Sequence, residues 1–109
     1  MKSDSKLAKK IESGDFIVTA ECAPGATASG ATAEAALKSI GGKPVAVNIA
    51  DNCHGVAISA VAASVAAVKL GIEPVLQMVT RDRNRIALQS DLLGAASLRG
   101  SRLIAPLSR

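Results

Sequence analysis

Three short polar clusters hold the residues able to do chemistry in this chain: Glu21-Cys22-Ala23-Pro24-Gly25, Asp51-Asn52-Cys53-His54 and Thr80-Arg81-Asp82-Arg83-Asn84. Between them they supply carboxylates, an amide, an imidazole, thiols and guanidinium groups. A positioned carboxyl can give or take a proton, and a guanidinium suits phosphate or carboxylate ligands. Each group also has an ordinary reading. Glu21 can pair with a neighbouring Arg or Lys. Asp51 can cap a helix or hold a turn, and Asp82 or Asn84 can cap the helix that follows. His54 has no second His beside it, and Cys22 and Cys53 lack metal-ligand spacing, so no metal is expected. The two cysteines read best as small buried fillers.

Each cluster follows a short apolar run. The runs cover residues 16–20, 45–49 and 74–79; they are brief and β-branched, which reads as strand. They begin about thirty residues apart, the length of a βαβ unit. The intervening segments read as helices over 31–40, 56–70 and 84–98, with a short opening helix over 4–13. Gly14, Gly41-Gly42 and Gly71 supply the stop signals. In the last helix, Ile86, Leu88, Leu92, Leu93 and Ala96 are expected inward, with Arg85, Gln89 and Asp91 outward. Alternating strands and helices give a parallel sheet covered by helices, either doubly wound or part of a (β/α)8 barrel. In both, ligands bind at the carboxyl ends of the strands, where the three polar clusters fall. A full barrel needs about 250 residues, so the chain supplies three units, with Leu103-Ile104-Ala105 as a possible start of a fourth.

Composition narrows the function classes. The chain has 109 residues, of which 49% are hydrophobic and 20% charged, so one globular domain is expected. Alanine contributes 21 residues and aromatics only Phe16, so the core must be built from Ala, Val, Ile and Leu. The longest apolar-rich run, 56–68, is far short of the ~20 residues of a membrane span. No apolar stretch follows the basic start, so no export signal is read and a reduced cytoplasmic setting is expected. The net charge of +4 lies at the two ends, with residues 1–10 and 81–109 basic and the middle acidic. Without aromatics to stack on bases, nucleic-acid binding is not expected. Neither GxGxxG nor GxxxxGK[ST] is present, which disfavours a nicotinamide-binding Rossmann domain.

The residues resemble one family. ECAPG (21–25) directly after a strand resembles the opening of methylenetetrahydrofolate reductases, flavoproteins built on a (β/α)8 barrel. VAVNIADN (45–52) resembles their second strand. EPVLQMVTRDRNRIALQSDLLGAASL (73–98) is the most specific match, similar to the third strand, loop and helix of the branch found in acetogenic and sulfate-reducing microbes. The resemblance implies an α/β fold comprising the first three β/α units of a TIM barrel, over residues 1–98. It implies a one-carbon activity: reduction of 5,10-methylenetetrahydrofolate to 5-methyltetrahydrofolate by FADH2, with a nicotinamide cofactor or another donor reducing the flavin. By position, Glu21 would be the general acid that assists ring opening. Gln77, Ala50, Asp51, Asn52, Thr80 and Arg81 would line the flavin, and Asp82 and Arg83 the folate.

The chain also departs from the family. Ala50 stands where Thr is common, Val79-Thr80 where Thr-Cys is common, and ECAPG has one Pro where two are usual. Residues 99–109 (RGSRLIAPLSR) replace the Gly, fourth strand and Leu-x-Gly-Asp loop with which the family continues. A truncated or frame-shifted chain is the expectation. The alternative is a non-catalytic half-barrel that assembles with itself or with a complementing chain, because an incomplete barrel leaves strand edges and apolar faces open.

Overall fold

Serine and asparagine side chains start the helices and glycines end most of them. The computed structural model describes residues 5–27, 29–99 and 107–108. Helix α1 (Lys6–Ser13) begins at Ser5, whose hydroxyl accepts the Ala8 N–H. It has no acidic residue in its first turn; instead Glu73 accepts the N–H groups of Lys6 at 2.8 Å and Leu7 at 3.0 Å. Helix α2 (Gly30–Ile40) is capped by Ser29 and α3 (Ala60–Lys69) by Ser59. Helix α4 (Arg85–Arg99) is preceded by Asn84, whose Oδ1 accepts the Ala87 N–H at 2.8 Å. This confirms the capping alternative for Asn84. Gly14 and Gly71 end α1 and α3 at φ +76° and +77°, a left-handed backbone that a Cβ would strain.

The strands are β1 (Thr19–Cys22), β2 (Ala46–Ile49), β3 (Pro74–Leu76) and β4 (Met78–Val79). β1, β2 and β3 form a parallel sheet in that order, with Glu21 opposite Asn48 and Asn48 opposite Val75. The described residues are thus a small α/β unit: three parallel strands with four helices in the order α1-β1-α2-β2-α3-β3-β4-α4. A two-residue strand, β5 (Leu107–Ser108), pairs in parallel with β4. Leu103-Ile104-Ala105 lies outside the described residues, as does most of the 99–109 tail.

One face of the sheet packs on the helices. Cys22, Val47, Ile49, Leu76 and Met78 form a single cluster with Leu37 of α2, Ala60, Ala63 and Ala67 of α3 and Ala95 of α4. The helix partners are mostly Ala, so the layers are joined by methyl groups rather than by large side chains. Full burial of a Leu, Ile or Val side chain contributes about 1.5–3 kcal/mol, so Leu37, Val47, Ile49 and Leu76 carry most of the cohesion. Within this packing Ser64 is 1% exposed, and its hydroxyl has no hydrogen-bond partner among the described residues. Removing an unsatisfied buried hydroxyl is favourable, and Ala is the better helix former. Ser64→Ala is therefore expected to stabilise the fold by about 1 kcal/mol, read as a Tm raised by several degrees. A lowered Tm would show that the hydroxyl is satisfied in solution.

Four sequence expectations need correction. β1 begins at Thr19 rather than at Phe16; Phe16 is 89% and Val18 53% exposed, because β1 is the edge strand and no described element covers them. Helix α3 begins at Ala60 rather than at 56, because the Asn52 side chain takes the Ala57 N–H and Ser59 supplies the cap. The apolar run over 74–79 is two strands with Gln77 between them. In α4 the inward residues are Leu88 and Ala95, while Ile86, Leu93 and Ala96 are exposed and Leu92 borders on it. Asp91, expected outward, is partly covered because it bonds Arg83.

Candidate functional site

The polar groups of the strands lie on the face away from α2 and α3. Side chains alternate along a strand. Since Cys22, Val47, Ile49 and Leu76 enter the helix-facing cluster, Glu21, Asn48 and Val75 fall on the opposite face. Gln77 continues that alternation between Leu76 and Met78, and its N–H donates to the Ile49 carbonyl at 3.3 Å. Glu21 is exposed; Asn48 and Gln77 are half-buried. Three successive strand segments thus bring a carboxyl and two carboxamides onto one face near the carboxyl ends. Asn48 was not singled out in the sequence; the available signal was a lone amide inside an otherwise apolar run.

The loop after β2 does something different. Ala50 is buried, and its N–H donates to the Cys22 carbonyl. The Asp51 side chain is fully buried. Its Oδ2 accepts the Val79 N–H at 2.8 Å and Arg83 Nη1, and its Oδ1 accepts Arg83 Nη2 at 3.1 Å. Arg83 also donates Nη1 to the Val79 carbonyl and Nε to Asp91 at 3.1 Å. A forked, charge-assisted pair of this kind fixes geometry as well as energy. It joins the end of β2, the end of β4 and the side of α4. Neither Asp51 nor Arg83 therefore presents a free charged group to a ligand in this arrangement. Asn52 adopts a left-handed φ of +51°, and its Oδ1 accepts the Ala57 N–H at 2.9 Å, which shapes the loop.

Burial works against the charge on Asp51, but hydrogen bonds from Arg83 and from the Val79 N–H, with the Arg83 charge, outweigh it and hold the carboxyl below its ordinary value. A carboxyl whose folded value is depressed stabilises the fold fully above its unfolded value of about 3.9 and loses that contribution as pH falls through the folded value. The expected result is an acid limb in the stability profile below about pH 4, flattened in Asp51→Asn. An unchanged limb in that variant would place the acid sensitivity in other carboxyls.

The remaining candidates are on the surface. Thr80 is exposed, and its carbonyl accepts the Arg83 N–H. Arg81 and Asp82 pair with each other at 3.2 Å, both well exposed. Cys22 is buried and Cys53 exposed, so the filler reading holds for the first only. Burial pushes the Cys22 thiol up. Between the loops after β1 and β2 is a cleft of about 160 Å³, lined among others by Pro24, Asn52, Cys53 and His54. The two loops are tied where the Ile58 N–H meets the Gly25 carbonyl at 3.0 Å.

No protein-family model, curated protein or solved structure matches the chain. Among the described residues no helix is long and apolar enough to cross a membrane.

Proposed function

We propose that residues 1–98 are the first three β/α units of a (β/α)8 barrel that works as a cytoplasmic, flavin-dependent methylenetetrahydrofolate reductase. The observation that carries this reading is the register of Glu21 with Asn48 on adjacent parallel strands, with Gln77 directly after the third. It is supported by the resemblance of residues 21–25, 45–52 and 73–98. Bound flavin, once reduced to FADH2 by its electron donor, would supply the hydride. Glu21, exposed at the carboxyl end of β1, is the proton donor to the folate nitrogen released as the five-membered ring opens. Asn48 and Gln77 present amides that can hydrogen-bond the edge of a planar ring.

The fit to a flavin is at this ring end. The open face with Glu21, Asn48 and Gln77 has polar groups to offer. Arg83 is committed to Asp51, Asp91 and the Val79 carbonyl, so it offers a diphosphate nothing in this arrangement. Arg81 is the more available guanidinium, because its pair with Asp82 is exposed and weak.

A second reading has its own observation. Among the described residues β1 has a neighbour on one side only, and Phe16, Val18, Ile86 and Leu93 are exposed. An open edge and apolar side chains favour assembly with a second copy or a complementing chain. One experiment addresses both readings: FAD is titrated into the purified chain with sedimentation followed in parallel. A saturable change in the flavin spectrum is expected for the reductase reading. Association without any flavin binding would favour the assembly reading and count against the first.

A further inference from the structure

We propose that the basic depression at the amino ends of β2 and β3 binds a small soluble molecule carrying two or more phosphate groups. A cleft of about 280 Å³ lies there, lined by Lys6 and Lys10 of α1, Gly41 and Lys43 of the α2–β2 turn, and Gly71 and Glu73 before β3. A second depression of about 390 Å³ shares Lys6, Lys10 and Val45 with it and adds Asp15 to its lining. Small-molecule sites begin at about this size. Lys6 and Lys10 are four residues apart and therefore share one face of the helix.

The charge balance of the cleft decides the ligand. Its lining contains one carboxylate, Glu73, and both of that group's oxygens already accept N–H groups of α1. Lys6 and Lys43 take part in no ion pair among the described residues. Lys10 has only Asp15, at 3.8 Å and exposed, a contact of little strength. Lys6, Lys10 and Lys43, from two elements, thus line one cavity and outnumber its single carboxylate, Glu73, which keeps its charge while accepting the two N–H groups. Ammonium groups bind phosphate as point charges, and a concave wall concentrates their field. A single phosphate can use one or two of them; an oligophosphate can span all three. The floor does not obstruct this, since a Cβ at Gly41, Gly42 or Gly71 would meet nothing within 4 Å. The site is at the opposite end of the strands from Glu21 and is independent of the proposed reductase activity.

The test is calorimetric titration of the purified chain with sodium tripolyphosphate at low ionic strength. Expected are saturable one-to-one binding, weakening with salt, and a loss of roughly tenfold for each lysine removed in Lys6→Gln and Lys43→Gln. Lys38→Gln, exposed on α2 outside the cleft, is expected to bind within about twofold of the parent, as ordinary surface changes do. Circular dichroism checks the fold of each variant, and Lys6→Arg with Lys43→Arg, which keeps the charge, is expected to retain binding. Absence of saturable binding, equal affinity in the double Gln variant, or an equal loss in Lys38→Gln would each overturn the proposal. Binding to vesicles of anionic lipid without binding to tripolyphosphate would overturn it as well, in favour of a membrane surface.

Discussion

Arg83→Leu is expected to destabilise the fold by about 3–5 kcal/mol, the cost of leaving a buried charge without its partner. The side chain of Asp51 is fully buried and that of Arg83 is 14% exposed, so water cannot replace the lost guanidinium at Asp51. Total stability of a small domain is about 5–15 kcal/mol, so the variant should be largely unfolded in modest denaturant. The double variant Asp51→Leu/Arg83→Leu should lose less than Arg83→Leu alone, because a buried pair replaced by apolar groups leaves no unpaired charge. Arg81→Leu should leave the denaturation midpoint unchanged, since its pair with Asp82 lies on the surface. A midpoint for Arg83→Leu equal to that of the parent chain would show that the Asp51 carboxyl finds another partner. The measurement is urea denaturation followed by far-ultraviolet circular dichroism.

Under the proposed reductase reading, Glu21→Gln in a complete barrel is expected to lower folate reduction by roughly a hundred- to ten-thousand-fold, the usual worth of a positioned general acid. Glutamine keeps the shape and hydrogen-bonding capacity of the side chain but has no acidic proton to give. Because Glu21 is exposed, the substitution should change stability by less than about 0.5 kcal/mol. Flavin binding and reduction of the flavin by its donor should also be unaltered. The three readouts together separate a lost proton from a lost fold. Full folate reduction in the Gln variant would remove Glu21 from the chemistry, whatever the flavin does.

The punctuation of the fold was legible in the sequence. Gly14, Gly41 and Gly71 end helices where a stop was read, and Asn84 starts one. Three apolar runs thirty residues apart each supplied one strand of the parallel sheet, in chain order, because β-branched runs between helices have few other ways to bury their faces. What was not legible depended on distant contacts. Asp51 and Arg83 are 32 residues apart, and no local signal says that one takes both oxygens of the other. The apolar pattern of α4 named Ile86 and Leu93 as core, yet a pattern marks only which residues are apolar and not which of them meets a neighbour. Phe16 shows the same limit at the edge of β1. At the candidate site, the loops after the strands were placed correctly at the carboxyl ends. The division between exposed Glu21 and committed Asp51 came only from the packing.

The bond between Glu73 and the first turn of α1 has a consequence for how the chain is made. Its partners are separated by 67 and 66 residues, so α1 emerges from the ribosome long before the carboxylate that caps it. Ser5 caps it locally from the start, but at roughly 5–20 residues per second the helix waits several seconds for this second, distant cap. An eight-residue helix is marginal in water by itself. The first helix in the sequence is thus expected to be among the last to be secured, held open through synthesis until the third strand arrives to close it.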